Sequence, residues 1–304
     1  FPYTTLFRSE TRDRQTTETF PSTYWPGEKP CDHLEFALKY DGTNLAILAS
    51  LFHVLPEGEF QEYVESKPRG KYARRLWYLY ELLTGKTIPI DDLKTGGYID
   101  LLEPSQYITT ASSSPVRRQR INDNLLGDAR FCPTVRLSNK LRAFSETDLA
   151  DRCKQVMSAY PPELLKRALS YLYSKETKAS FEIENVTPSS TRTECFIALL
   201  QLAEKKDFCE KTLLIELQNR IVDPRFRNYG YREVQNYIGE TIAPQREKVH
   251  YACPKPRDLA PLMEGLLSSH ACMEAGGVHP VVHAAVVAYG FVFLHPFEDG
   301  NGRI

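Results

Sequence analysis

The last ten residues of this 304-residue chain run His295-Pro296-Phe297-Glu298-Asp299-Gly300-Asn301-Gly302-Arg303-Ile304. Imidazole titrates near pH ~6.5, so His295 can accept a proton from a hydroxyl at neutral pH and is a candidate general base. Asp299 offers a hard oxygen, and Mg²⁺ commonly takes only one or two carboxylates alongside phosphate oxygens. Gly300 and Gly302 permit backbone conformations that turn successive amide N–H groups into one concavity around Asn301, an anion nest. A helix beginning near Asn301 would aim its positive end at the same concavity. Arg303 adds charge-assisted hydrogen bonds, either to a phosphate or to a structural carboxylate. Together these residue types suit phosphoryl-ester chemistry. Mg²⁺ and amides hold a nucleotide's phosphates while His295 deprotonates an attacking hydroxyl. Spacing alone leaves a second reading open, a capped helix after an ordinary Gly-Asn-Gly turn.

The elements that must position this run can be read upstream. Val281–Leu294 is apolar enough for a buried helix, and Pro296 disfavours its continuation past His295. His295 is therefore expected where a core helix gives way to a loop. Helices are predicted from about Pro256 to Ser268 and from Pro280 to Leu294. Before them, Tyr229, Tyr231, Val234, Tyr237 and Ile238 form a β-leaning stretch. It is expected to reverse near Gly239 and Pro244 and to return through Val249, His250 and Tyr251 as a hairpin. Pro161-Pro162 can open a helix through Leu165, Leu169 and Leu172. Thr191-Arg192-Thr193-Glu194 has the capping-box pattern ahead of Phe196, Leu199, Leu200 and Leu202, and Leu213–Ile221 continues the helical core. In the first half, apolar positions from Leu34 to Tyr40 and from Leu45 to Phe52 flank an Asp41-Gly42 turn. A helix from Lys71 to Leu83 is expected to stop at Gly85. Asp91–Thr110 reads as irregular, with a β-like stretch at Tyr107-Ile108. The fold class is accordingly mainly α, a helical core with a β-hairpin flap preceded by an N-terminal helical domain.

The string HPFEDGNGR matches the pattern H-P-F-x-(Asp/Glu)-G-N-G-R, and on that motif the chain resembles the Fic-domain family (Fic/Doc). The resemblance extends to Gly230-Tyr231-Arg232 through Ile238-Gly239, to Pro254–Leu267, and to His279–Ala285, roughly the last half of the chain. It implies that His295 activates a target hydroxyl and Asp299 holds Mg²⁺. Gly300, Asn301, Gly302 and Arg303 would bind the nucleotide, with ATP as co-substrate. The flap at Tyr237, Ile238 and Gly239 would dock a protein target by strand addition. Most such proteins transfer AMP to Ser, Thr or Tyr hydroxyls. Gly302, where the phosphate-transferring branch has Lys, favours nucleotidyl transfer. The family motif continues to a second arginine two residues past Ile304, so the chain as written is expected to be a truncated, inactive fragment.

Ser180-Phe181-Glu182-Ile183-Glu184-Asn185 fits the family's inhibitory pattern (Ser/Thr)-x-x-x-Glu-(Gly/Asn), upstream of the catalytic motif. By that resemblance Ser180, Glu184 and Asn185 form a brake in which Glu184 pairs with the second arginine and obstructs the γ-phosphate. A de-AMPylating or bifunctional enzyme of the family, and a non-catalytic nucleotide-sensing regulator, are the alternative readings.

Bulk properties narrow the setting. A formal net charge of −1 shows no global excess that would point to nucleic acid or membrane, and 42% hydrophobic residues fit a globular protein. No apolar run is long enough to span a bilayer. Seven scattered cysteines without a CxxC pair suit free thiols in a reducing cytoplasm, and the expected context is cytoplasmic and bacterial-type. Expected partners are ATP and a protein with an exposed hydroxyl, the protein itself included. Nucleic acid would need a further C-terminal module. Residues 1–9 (FPYTTLFRS) match the translation of a common short-read sequencing adapter and are expected to be an artefact. Residues 10–30 read as an extended lead-in, 31–145 as the N-terminal helical domain and 146–304 as the Fic core. Within that core the inhibitory segment is 180–185, the flap 229–251 and the catalytic motif 295–304.

Other signals carry less. Arg117-Arg118-Gln119-Arg120 reads as a solvated basic loop. Thr84-Gly85-Lys86-Thr87 echoes a P-loop but has Tyr80 where glycine is required. His279 and His283 have helical metal-binding spacing, but Pro280 makes His279 a helix-start residue. Cys253 reads as core rather than nucleophile.

Overall fold

The computed structural model describes residues 8–12, 15–145, 147–183, 187, 189–203, 207, 209–243 and 246–304. In chain order the elements are β1 (Arg8–Arg12), β2 (Gln15–Thr19), α1 (Pro30–Tyr40), α2 (Leu45–Val54), α3 (Glu57–Ser66) and α4 (Lys71–Thr84). There follow the short strands β3 (Ile99–Asp100), β4 (Tyr107–Ile108), β5 (Ser114–Val116), β6 (Ile121–Asp123) and β7 (Val135–Arg136). The helices α5 (Asn139–Ser145), α6 (Leu149–Ser158), α7 (Pro162–Ile183), α8 (Ser190–Ala203) and α9 (Lys211–Ile221) precede a hairpin, β8 (Tyr237–Ala243) and β9 (Arg246–Ala252). Two long helices close the chain, α10 (Pro256–Ala275) and α11 (Pro280–Leu294). The protein is mainly α. It divides into two compact units, residues 1–102 with 114–123, and 103–113 with 124–304. The boundary expected at residue 145 lies inside the second unit, at the end of α5.

The first unit is organised by α4. Its periodicity buries Ala73, Leu76, Trp77, Leu79 and Tyr80, and the helix stops at Gly85, whose φ of 68° places it in the left-handed region. The Tyr80 ring stacks on Phe60 at 4.6 Å and meets Phe52 edge-on at 5.2 Å. The lead-in is not simply extended. β1 and β2 pair antiparallel from Arg8↔Thr19 to Arg12↔Gln15, so β1 crosses the boundary expected between residues 9 and 10. Phe20 then packs on Phe36 and Tyr40, each at 5.1 Å.

In the basic run Arg117–Arg120, expected to be solvated, Arg118 and Arg120 instead bind the chain. The Arg118 guanidinium donates to Asp92 at 2.8 Å, to Glu81 at 3.2 Å and to the Ile88 carbonyl at 2.5 Å, over the Trp77 ring. Arg120 donates to the carbonyls of Leu93, Lys94 and Gly96. A connection without its own ladder needs partners for its carbonyls, and these arginines provide them for Ile88, Leu93, Lys94 and Gly96.

In the second unit α10 and α11 form the central pair. Leu259, Met263 and Leu266 meet Phe291, Leu294, Phe297 and Leu214 in one buried cluster. A second cluster joins Leu126, Met273, Val278 and Val282. It explains why α10 runs to Ala275 rather than ending near Ser268. Met273 is fully buried there, and the buried Ser269 hydroxyl donates to the Leu126 carbonyl at 2.6 Å. A third cluster, Phe181, Phe196, Leu199 and Ile221, joins α7, α8 and α9.

Candidate active site

α11 delivers His295. The helix is buried at Val282, Gly290, Phe291 and Leu294, and it ends with His295 itself in the left-handed conformation at φ 51°, ψ 61°. A non-glycine residue there is uncommon and must be held in place. The holding group is Arg232, only 3% exposed. Its Nε donates to the His295 carbonyl at 2.7 Å and its Nη2 to the Pro254 carbonyl at 2.7 Å, while Nη1 donates to the Val234 carbonyl at 2.9 Å. The Arg232 backbone N–H donates to the Pro296 carbonyl at 2.8 Å. One buried guanidinium thus ties the end of α11 to both sides of the flap.

The imidazole is oriented as well. His295 Nδ1 lies 3.3 Å from the Val292 carbonyl, which can only accept, so Nδ1 carries the proton and Nε2 presents a lone pair. Burial holds the imidazole below its ordinary pKa; the Val292 bond opposes this and the nearby Arg232 charge reinforces it. The ring is therefore neutral at physiological pH.

The loop after His295 is built from inside. Phe297 is fully buried against Phe291 and Tyr231 and anchors the loop in the α10–α11 cluster. Asn301, also buried, accepts from the Phe297 N–H at 2.9 Å and donates to the Phe297 carbonyl at 2.8 Å, closing the loop with both ends of one amide. Gly300 has φ +91°, and a Cβ there would meet Val222 Cγ1 at 2.7 Å, so both conformation and space require glycine. The Arg303 and Ile304 N–H groups return to the Gly300 carbonyl. The Asn301 and Gly302 amides donate to no protein acceptor among the described residues.

Asp299 Oδ1 accepts from the Gly300 N–H at 2.7 Å and from Arg303 Nη2 at 2.5 Å. The Asp299 side chain is one-third exposed, whereas that of Arg303 is buried. The Asp299 carbonyl accepts from Gln218 Nε2 at 3.2 Å, and that same group donates to the Phe226 carbonyl and to Asn228. Gln218 is fully buried on α9.

The sequence-predicted residues His295, Asp299, Gly300, Asn301, Gly302 and Arg303 thus come together in one loop. The hairpin containing Tyr237, Ile238 and Gly239 is present with different bounds. Residues 229–236 are not strand, because Tyr231 packs on Phe297 and Arg232 bonds to the His295 and Pro296 carbonyls. Gly239 sits inside β8 at a register irregularity rather than in the turn. Both strands are largely exposed, and Tyr251 Oη fastens β9 to the Phe293 carbonyl of α11 at 2.9 Å. Ser180 lies in the last turn of α7; Glu184 and Asn185 lie outside the described residues. Two residues before Ile183, Phe181 is fully buried, with the Arg303 guanidinium 5.3 Å from its ring centroid and Ile304 packed beside it.

Arg232 and Gln218 lie outside the set of site residues that the sequence predicts. Each carried a signal, an arginine within a tyrosine-rich apolar stretch and a glutamine within the stripe Leu214, Gln218, Ile221 on the buried face of α9. His279 caps α11, as its place before Pro280 suggests: its Nδ1 accepts from the Val281 N–H. Cys253 is buried, with its thiol pKa raised chiefly by burial, which suits core rather than a nucleophile.

A helical core thus delivers a half-buried histidine to a Gly-Asn-Gly loop. Residues 208–304 match the Fic/DOC family. It is similar to proteins named protein adenylyltransferase Fic. The Aedes aegypti protein is 34% identical over 105 residues, covering 34% of this chain and 19% of that protein. The Culex quinquefasciatus protein is 36% identical over 108 residues with the same coverage, and the Drosophila melanogaster protein 36% over 105 residues. The chain spans about a fifth of the length of these insect relatives. Among the described residues no helix is long and apolar enough to cross a membrane.

Proposed function

We propose that this Fic domain transfers AMP from ATP to a hydroxyl side chain of a protein. The observation that carries this reading is the geometry at His295. With Nδ1–H committed to Val292, Nε2 of a neutral imidazole is the acceptor beside a loop whose Asn301 and Gly302 amides have no protein acceptor among the described residues. His295 takes the proton from the attacking hydroxyl as that oxygen forms a bond to the α-phosphorus and the bond to the pyrophosphate leaving group breaks. The two amides bear on the phosphate charge without having to reorganise.

The donor set fits Mg²⁺ through a single carboxylate, since Asp299 is partly exposed and directs only Oδ1 into the loop. When bound there, Mg²⁺ would neutralise phosphate charge. The flap at Tyr237, Ile238 and Gly239 would bring the target as an added strand, its exposed backbone serving as the docking edge.

We further propose that the segment 180–185 restrains the reaction through Glu184. Its support is the packing of Phe181 on Arg303, which joins the end of α7 to the catalytic loop. Incubation of the protein at its full natural length with labelled ATP and Mg²⁺, beside His295→Ala, tests the assignment. Label transferred to protein and lost in the variant supports the transferase. Nucleotide binding without transfer indicates a regulator, and Glu184-dependent release of AMP from a modified protein indicates the reverse reaction.

A further inference from the structure

Away from the catalytic loop, two imidazoles meet. His270 on α10 and His283 in the first turn of α11 have ring centroids 4.8 Å apart and a Nδ1–Nε2 distance of 2.9 Å. The other nitrogen of His270, Nε2, lies 3.1 Å from Asp207 Oδ2. Cys209, just before α9, completes the group. One ligand atom each from Asp207, Cys209 and His270 lies within 4.8 Å of the others. The sequence pairs His283 with His279 at helical spacing, but His279 turns to cap α11 and meets the Phe144 ring at 5.3 Å.

We propose that Asp207, Cys209 and His270 form a zinc site, with His283 orienting His270 from behind. One thiol, one imidazole and one carboxylate form a borderline-soft donor set that suits tetrahedral Zn²⁺ with a fourth position left to solvent. A carboxylate can only accept, so without metal His270 Nε2–H donates to Asp207 and Nδ1 accepts from His283 Nε2–H. When Zn²⁺ takes Nε2, the ring tautomer reverses. Nδ1–H then donates to His283 Nε2, the supporting bond that metal-bound histidines characteristically make. The two histidines can exchange tautomers without a change of charge, so the proton lost on binding comes from the thiol, about one per ion.

The thiol is a poor nucleophile as it stands. Burial first, then Asp207, pushes Cys209 up to about 12, and a cation is what would convert it to thiolate. A bound ion would cross-link the segment preceding α9 to α10, close to where the family match begins at residue 208.

Co²⁺ titration of the purified chain tests this independently of ATP. The expected result is a thiolate-to-metal charge-transfer band with tetrahedral visible bands, saturating near about one equivalent and displaced by Zn²⁺. The band disappears in Cys209→Ser. His283→Gln weakens Zn²⁺ by roughly 10- to 100-fold in chelator competition, and His270→Ala by at least as much. A sulfur-free Co²⁺ spectrum, a band unchanged in Cys209→Ser, or an unchanged Zn²⁺ affinity in His270→Ala overturns the site. Should Cys209→Ser not fold, X-ray absorption at the zinc edge of the unaltered chain decides. One sulfur among nitrogen and oxygen scatterers supports the assignment, and any other sulfur count overturns it.

Discussion

The Arg303 guanidinium lies 5.3 Å from the centroid of the Phe181 ring, so the last residues of the catalytic loop rest on the end of α7. Phe181 is fully buried among Phe196, Leu199 and Ile221, with Ile304 against the same cluster. Whatever moves the end of α7 also disturbs the floor beneath Arg303 and, through its bond to Asp299, the acid of the loop. On the proposed reading, restraint and catalysis would share one cluster of side chains.

Glu184→Gly in the full-length protein should therefore raise AMP transfer while leaving thermal stability nearly unchanged. Phe181→Ala should instead cost about 3–5 kcal/mol, the usual loss for a buried phenylalanine. Labelled-ATP incorporation and thermal melts on both variants separate release of the restraint from loss of packing. An unchanged transfer rate in Glu184→Gly counts against the restraint.

Arg232 should behave as a positioning residue for His295. Arg232→Lys keeps a charge but cannot reach the His295, Val234 and Pro254 carbonyls together. Transfer should fall by about 10- to 100-fold in kcat with a smaller change in KM for ATP, as expected when a general base is misplaced. A KM effect with kcat intact would show that the guanidinium acts on binding instead.

Gly300→Ala asks a Cβ to share space with Val222 and imposes φ +91° on a residue that resists it. We expect a loss of about 1–3 kcal/mol in stability and a larger proportional loss of transfer, because the Asn301 and Gly302 amides move with the turn. Gly300→Ala combined with Val222→Ala restores space but not conformation. Urea melts and initial rates on the pair measure the two contributions separately.

The pH dependence follows from the sign of the shift at His295. The folded protein holds the imidazole below its unfolded value of about 6.5, so between these two pKa values the unfolded chain binds more protons. The stabilisation is present above about pH 6.5 and is lost as pH falls through the folded pKa. The acidic limb of kcat/KM should accordingly lie below about 6.5, and a profile whose limb sits above that value would contradict the assignment of the base.

The nine-residue motif from His295 to Arg303 was legible in the sequence because its residue types are chemical: an imidazole, a carboxylate, and two glycines around an amide. The helices were legible where periodicity and stop signals agree, as at α4 with Gly85 and at α11 between Pro280 and Pro296. The sequence did not reveal what those residues lean on. Gln218 sits in an apolar stripe and Arg232 in an aromatic stretch, and their importance depends on carbonyls of residues such as His295 and Asp299, distant in the chain. The same holds for Arg118 and Arg120, which read as solvated charge until the carbonyls of Ile88, Leu93, Lys94 and Gly96 are brought to them. Local sequence determines which groups can react. Tertiary packing decides that Arg232 holds the His295 carbonyl, that Gln218 holds the Asp299 carbonyl, and that His283 meets His270 rather than His279. Those outcomes depend on partners joined by the core, and no local spacing encodes them.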